Sequence, residues 1–169
     1  MTSLSLVRID DRLIHGQVVL GWARVLKPDR IVVANDRVAK SDWERRLYTA
    51  SVPPQLKASF LTLEETAAQI RSGAFKDESI VLLFESVADA HGVTEAGVHF
   101  DEINVGGLHY HEGARELLPF VYVSEDDRRL LKDLAGKGVK LIAQDIPGNP
   151  AINLVPLVVT GAASPSAGI

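Results

Sequence analysis

One short stretch concentrates the side chains that could do chemistry. RIDDRLIHGQVV begins at Arg8 and holds two arginines, two aspartates and a histidine within its first eight residues. A neutral imidazole is a nitrogen nucleophile near pH 7, and the planar fork of an arginine binds phosphate oxygens in pairs. The stretch therefore has the groups needed to hold a phosphoryl group on His15 beside Arg12.

The predicted position of this stretch also suits an anion. It follows a predicted strand at 3–9 and precedes a predicted helix at 16–26. Ligands of open parallel sheets bind beyond the carboxyl ends of the strands, and unpaired N–H groups at a helix start attract phosphate. Asp10 and Asp11 could orient the imidazole or hold the arginines when no phosphate is bound. The residues alone leave open that these are solvated turn residues and that His15 is an ordinary first-turn residue.

Short apolar runs alternate with amphipathic segments along the rest of the chain. This alternation predicts an α/β fold with helices on both faces of one sheet of six to seven strands. Trp22 and Trp43 lie on the apolar faces of predicted helices and are predicted to be core residues. The strand that follows Pro119 is predicted at an edge of the sheet. The predicted strands are 3–9, 30–34, 58–63, 80–84, 102–105, 120–123 and 139–143, and helices are predicted at 16–26, from 41 to Pro53, from 62 to Gly73, after Ser86 and at 124–135.

Length and composition limit the function classes. The chain has 169 residues, which favours one domain, and a formal net charge of −4, which argues against bulk nucleic-acid binding. There is no cysteine, which excludes disulfides, cysteine-based zinc sites and thiol nucleophiles. The first residues lack the features of a secretory signal, and no apolar run approaches the length of a membrane span. A cytoplasmic protein is the simplest expectation.

The carboxyl-terminal residues differ in character from the rest. We predict a single domain over 1–150 and an extension over 151–169 that is at least partly a mobile tail. The final residues, TGAASPSAGI, are small and polar. They offer almost no apolar surface to offset the entropy of ordering, so the tail from about Ser164 is expected to be dispensable.

Other residues outside this loop are also candidates for a functional site. Asn35 and Asp36 follow the second strand, at the sheet edge that carries His15, where they could be a turn or a wall of a phosphate site. His109 and His111 could form a metal pair, but no third ligand follows from the spacing, so we predict no metal and no organic cofactor. Gly106-Gly107 could admit a ligand or make a turn, and it lacks the spacing of a dinucleotide fingerprint.

Several segments together resemble a known family. RIDDRLIHGQV resembles the phosphorylation loop of the IIB components of the mannose/fructose/sorbose family of the bacterial sugar phosphotransferase system (PTS). IVVANDRVAKSDW, ASVPP, INVGGLH and GVKLIAQDIP resemble later segments of that family, in the same order. The resemblance covers about residues 4–147. It implies a three-layer α/β/α sandwich with an open, mostly parallel central sheet.

The resemblance also implies a function. A IIA partner would pass a phosphoryl group to His15, and a sugar translocated by membrane IIC and IID subunits would then take it. Arg12 matches the family's loop arginine and would stabilise the phosphoryl group. The protein would be cytoplasmic, peripherally associated with the inner-membrane permease, and would need no cofactor. Residues expected to bind phosphate or form the surrounding loops are Asp10, Asp11, Gly16, Gln17, Asn35 and Asp36.

Two other functions were considered. The same domain could be a regulatory module that is phosphorylated on His15 without serving a sugar permease. A nucleotide-binding domain would need a glycine-rich loop after the first strand, where this chain has Asp10 and Asp11 followed by Arg12. The sequence does not identify the sugar, and it leaves a homo-oligomer open.

Overall fold

A computed structural model describes residues 3–160, and its strands and helices alternate along the chain. In chain order they are β1 (Ser3–Asp10), a π-helical segment (Gln17–Trp22) that continues as α1 (Ala23–Leu26), β2 (Arg30–Ala34), α2 (Asp36–Ala39), α3 (Asp42–Ala50), β3 (Lys57–Leu61), α4 (Leu63–Ser72), β4 (Ser79–Phe84), α5 (Val87–Glu95), β5 (Glu102–Gly107), β6 (Arg115–Leu118), β7 (Val121–Val123), α6 (Glu125–Gly136), β8 (Lys140–Ala143), β9 (Ile152–Asn153) and α7 (Val155–Thr160).

The central sheet confirms the predicted fold class. Its seven strands run in the order β3-β2-β4-β1-β5-β8-β9, and every pairing is parallel except that of β9 with β8. Strand β1 lies at the centre, between β4 and β5. The loop that follows β1 therefore emerges from the middle of the carboxyl edge of the sheet, where open α/β sheets bind ligands.

Both faces of the sheet are covered, which produces the three layers. Along β2, Ile31 and Val33 belong to one buried cluster and Val32 and Ala34 to the other. Successive side chains of a strand point to opposite faces, so an unbroken apolar run of this kind requires cover on both sides. The π-helical segment packs on the first face, and α4 to α7 pack on the second.

Side-chain caps explain where several predicted helices begin. Ser41, Thr62 and Ser124 each accept a hydrogen bond from the amide three residues on, at 3.2, 3.1 and 3.1 Å. Thr62 and Ser124 have the reciprocal bond as well, which completes a capping box. Helix α4 ends at Gly73, whose φ of 74° is the left-handed conformation that glycine adopts without strain.

The prediction for Trp43 is wrong, because its side chain is 71% exposed. Helix α3 contacts the sheet through Tyr48, whose ring stacks on Phe60 with centroids 6.3 Å apart. Five residues turn an α-helix through about 140° beyond one full turn, so Trp43 faces away from that contact. Trp22, in contrast, is buried as predicted.

The segment at 120–123 also differs from the prediction. It forms β7, which pairs antiparallel with β6 in a separate two-stranded sheet, and Val121 forms an isolated bridge with Leu108, the residue after β5. The seventh strand of the central sheet is instead β9, which the sequence did not indicate. Leu154 and Val158, in and beside α7, are buried in the core, so residues 152–160 pack against the domain. The predicted tail from Ser164 lies outside the described residues.

Candidate functional site

The loop after β1 is held in place by two apolar residues. Leu13 is fully buried and Ile14 nearly so, and both belong to the core cluster beneath the π-helical segment. Leu13 has a φ of 55°, a conformation that costs a non-glycine residue about 1–3 kcal/mol. Burial of a leucine side chain, about 1.5–3 kcal/mol, offsets that cost. The anchored residues fix the positions of the partly exposed Arg12, which precedes them, and the largely buried His15, which follows them.

Asp10 lies at the centre of the charged groups and contacts both arginines. It is fully buried, and its Oδ1 accepts hydrogen bonds from the backbone N–H and the Nε of Arg12, both at 3.1 Å. Its Oδ2 accepts from Arg8 at 3.1 Å and from Arg12 Nη2 at 3.2 Å, and lies 3.7 Å from His15 Nε2. Asp10 therefore holds both guanidinium groups close to His15, and the fork of Arg12, the more exposed of the two arginines, can bind an incoming phosphoryl group.

Arg8 is the buried partner of Asp10, and it is not one of the site residues predicted from the sequence. Besides Asp10, its guanidinium donates to Asn104 Oδ1, to the carbonyl of Gln144 and to the carbonyl of Asp145, each at 2.8 Å. Burial lowers the pKa of Arg8, although the neighbouring carboxylate of Asp10 opposes that shift. These bonds tie the loop after β8 to the centre of the site.

The close fit of Arg8 depends on Gly106 and Trp22. The Arg8 guanidinium lies 5.3 Å from the centre of the Trp22 ring. A Cβ added to Gly106 would lie 1.8 Å from Arg8 Cζ, an impossible contact. Gly106 lies within β5, where the absence of a side chain leaves room for the buried Arg8 guanidinium. It does not make a turn. Gly107 is less crowded, since its Cβ would lie 3.1 Å from Arg12 Nη2.

His15 is turned toward the loop backbone. Its Nδ1 lies 3.0 Å from the carbonyl oxygen of Leu13, so this nitrogen carries the proton of a neutral ring. Its Nε2 is buried beside Asp10 and has no hydrogen-bond partner among the described residues. The side chain as a whole is 18% exposed. An attacking nitrogen must reach the surface, so accepting a phosphoryl group requires the ring to turn outward about its side-chain bonds.

Arg12 is half-exposed and can reach the surface. Its Nη2 donates to Gln17 Oε1 at 3.0 Å in addition to its bonds with Asp10. Gly16 precedes the π-helical segment, is exposed and has open space around its Cα. The loop residues predicted from the sequence, Asp10 to Gln17, therefore lie together, and Arg12 is oriented before any phosphate binds.

Asp11 makes a long-range contact that the sequence did not indicate. Its backbone N–H donates to the carbonyl of Gly107 at 3.0 Å. Its carboxylate accepts from the backbone N–H of His109 at 2.7 Å and lies 2.6 Å from His109 Nδ1. The loop after β1 is thereby joined to the loop after β5.

Asn35 and Asp36 lie on the same sheet edge but have other partners. Asn35 caps α2 by accepting from the N–H of Val38, and it donates to Glu85 at 2.7 Å and to Asp89 at 3.1 Å. Asp36 accepts from the N–H of Leu63 at 2.9 Å. Strand β2 is separated from β1 by β4, so these residues stand about two strand spacings, roughly 10 Å, to one side of the loop.

Potential metal ligands are already engaged with protein groups. Within residues 3–160, one group of three has ligand atoms close enough to share an ion: His91 and Glu95 on α5 with Asp133 on α6. Lys137 Nζ forms ion pairs with both of these acids, so a cation of the protein already occupies part of their coordinating capacity. His111 Nδ1 lies 3.5 Å from the carbonyl of His109.

Comparison with known proteins identifies the family. A family model described as the sorbose-subfamily IIB component of the PTS matches residues 4–165. This chain belongs to that family. It is a IIB component, a phosphotransferase of the sugar PTS, as its resemblance implied. Components of this family work with IIA and with IIC and IID partners.

Individual relatives match nearly the whole length of this chain. The fructose-specific EIIB component of Bacillus subtilis is 33% identical over 158 residues, which cover 94% of this chain and 97% of the relative. The mannose-specific EIIAB component of Escherichia coli K12 is 30% identical over 155 residues, which cover 92% of this chain and 48% of the relative. The IIBSor domain of the sorbose permease from Klebsiella pneumoniae superposes with a TM-score of 0.88 at 31% identity, covering 96% of this IIB chain and 99% of the domain. None of the helices within residues 3–160 has the length and apolar character of a membrane span.

Proposed function

We propose that His15 is the phosphoryl carrier of this IIB component. It would accept the group from a IIA protein or domain and pass it to a sugar translocated by IIC and IID subunits on the cytoplasmic side of the membrane. The observation that carries this proposal is the setting of His15. It stands at the centre of the carboxyl edge, beside Arg12 and a carboxylate already shared by two arginines.

The geometry suits transfer between two imidazole rings. The transferred phosphoryl group carries charge spread over three oxygens in a loose transition state, so catalysis consists mainly of positioning and charge neutralisation. Arg12 supplies a planar pair of donors at the surface, and Asp10 keeps that fork oriented before the partner arrives. When the His15 ring turns outward, its nitrogen meets the phosphoryl group next to Arg12.

A neighbouring groove supports docking of a protein donor at this edge. The π-helical segment, the start of α1 and the loop after β8 line a shallow, open groove of about 490 Å³ between Gly16 and Pro147. Leu20 and Val25 line it and are each 63% exposed, and Arg24 stands beside them. Exposed apolar side chains next to a reactive residue are typical of a protein interface. A IIA surface that combines an apolar side chain with an acidic one would fit this groove.

Phosphorylation by a purified PTS tests the proposal. The protein is incubated with phosphoenolpyruvate, the general PTS proteins and a cognate IIA, and the phosphate incorporated per chain is measured. We expect about one phosphate per chain for the wild type and for the control His111→Ala, and none for His15→Ala. Wild-type labelling of His15→Ala would overturn the proposal.

A second assay separates transport from regulation. Membranes that contain the IIC and IID subunits are added with mannose, fructose or sorbose, sugars suggested by the names of the relatives. Formation of a sugar phosphate that depends on His15 is the expected result. Labelling of His15 without transfer to any sugar offered would favour the regulatory role.

A further inference from the structure

A second histidine lies in the same pocket as Arg12. Behind the loop after β1, Arg12, Gln17, Gly107 and His109 line a cavity of about 190 Å³, closed on its far side by Tyr122 and other residues near the β6-β7 hairpin. The His109 side chain is 65% exposed. Its ring is therefore open to a group that binds in the pocket.

Asp11 fixes the orientation of the His109 ring at two points. One carboxylate oxygen accepts the backbone N–H of His109, and the other faces Nδ1 at 2.6 Å. A carboxylate at Nδ1 holds the ring and leaves the opposite nitrogen as the one available to a ligand. Among residues 3–160, His109 Nε2 has no hydrogen-bond partner.

We propose that His109 is a second phosphoryl-binding residue of this IIB component. Asp11 accepts the Nδ1–H of His109, so Nε2 carries a proton only when the ring is an imidazolium. The Nε2–H of this imidazolium donates a hydrogen bond to a phosphoryl oxygen as the group passes to or from His15, while Arg12 binds another oxygen. This inference rests on the proposed role of His15. It adds a residue that lies 94 positions along the chain from that histidine and on a different loop.

The transfer step balances without a proton from His109. A lone pair on a nitrogen of His15 forms the new N–P bond, and the N–P bond of the phosphorylated IIA donor breaks with its electron pair returning to the donor imidazole. His109 keeps both ring protons throughout and contributes only a hydrogen bond. The same contact serves the reverse direction, in which the N–P bond of His15 breaks and its electron pair returns to the His15 imidazole.

The structure permits a clean substitution. The backbone N–H of His109 bonds to Asp11 whatever the side chain is, so His109→Ala removes the ring and leaves two backbone hydrogen bonds of Asp11, one from the N–H of His109 and one to the carbonyl of Gly107. His109→Arg returns a cationic donor that can pair with Asp11. His111→Ala is the matched control, because His111 lies on the same loop and its ring touches only a backbone carbonyl at 3.5 Å.

Single-turnover transfer from phosphorylated IIA is measured for the four proteins, together with melting temperature and the final labelling of His15. Loss of one transition-state donor commonly costs on the order of 100-fold in enzymes, and exposure to solvent weakens it, so we expect His109→Ala to be slower by about 10- to 100-fold. His109→Arg should recover most of the rate, and His111→Ala should match the wild type. All four proteins should reach full labelling and melt at the same temperature.

Two results would overturn the inference. One is an unchanged rate for His109→Ala. The other is a slow His109→Ala that melts earlier and is not rescued by arginine, since that pattern assigns the ring to packing. Absence of label on His15 in the wild type is a different outcome, because it contradicts the proposed function itself.

Discussion

Replacement of Gly106 by alanine should destabilise this IIB component strongly. The added Cβ would lie 1.8 Å from Cζ, 1.9 Å from Nη2 and 2.2 Å from Nη1 of Arg8. The guanidinium cannot move aside cheaply, because four hydrogen bonds hold it and its side chain is fully buried. Either β5 must move away from β1, or the Arg8 side chain must break its hydrogen bonds.

Movement of β5 breaks the pairing of β1 with β5 and the hydrogen bond from Arg8 to Asn104, and displacement of Arg8 separates its buried ion pair with Asp10. Breaking such a pair costs about 3–5 kcal/mol, because a charge is left without compensation. In a domain of this size each kcal/mol lowers the melting temperature by about 2–4 °C, so Gly106→Ala should melt roughly 6–20 °C below the wild type. The matched control is Gly136→Ala at the end of α6, where a Cβ meets nothing within 4 Å. Its stability should be unchanged or higher by up to about 1 kcal/mol.

Urea and thermal unfolding of the three proteins measure this effect directly. The expected order of stability is Gly136→Ala at or above the wild type, with Gly106→Ala far below. A Gly106→Ala protein that melts within about 2 °C of the wild type would refute the reasoning, because Arg8 could not then lie across the α-carbon of Gly106.

Three further predictions concern the site and the acid stability. Arg12→Ala should slow single-turnover transfer from IIA on the order of 100-fold, and Arg12→Lys should recover only part of the rate because lysine lacks the planar fork; equal rates would leave Arg12 as a surface ion pair. Leu20→Glu should raise the KM for phosphorylated IIA without changing the melting temperature, whereas Val159→Glu, an exposed apolar position away from the groove, should leave the KM unchanged; equal effects would exclude the groove as the docking site. Hydrogen bonds from Arg30 lower the pKa of Glu78 to about 2, so the stabilisation by this carboxylate is complete above its ordinary pKa of 4.5 and is lost as pH falls toward 2. Glu78→Gln should therefore lose less stability than the wild type in urea unfolding between about pH 6 and about pH 3, and parallel losses would contradict that assignment.

Local signals predicted most of the fold. Apolar runs predicted strands β1 to β5 and β8. Capping residues within one helical turn predicted the starts of helices α3, α4 and α6. The elements that were missed are short or depend on tertiary contacts. Strand β9 has two residues, and its pairing with β8 supplies the hydrogen bonds that its own sequence does not suggest. The buried residues of the π-helical segment Gln17–Trp22 are Val18, Val19 and Trp22, a spacing that an α-helix also has. The apolar pattern therefore did not distinguish a π-helix from an α-helix.

The candidate site was predicted only where its residues are close in sequence. Asp10 to Gln17 form one contiguous loop, so their grouping needs no knowledge of the fold. Arg8 carried a usable signal, because it shares a strand face with Asp10, two residues away, in a strand that must be buried. The contact between Asp11 and His109 spans 98 positions and depends on β1 and β5 being neighbours, which periodicity alone does not determine.

The central claim is that His15 carries the phosphoryl group, and a tryptic map of the phosphorylated protein tests it most directly. Cleavage after Arg12 and Arg24 yields the peptide 13–24, whose single histidine is His15, while the peptide 77–115 contains the other four of the five histidines. The protein is labelled by phosphorylated IIA, digested at neutral or alkaline pH and analysed by mass spectrometry. We expect phosphate on peptide 13–24 alone. Phosphate on peptide 77–115, with 13–24 unmodified, would contradict it.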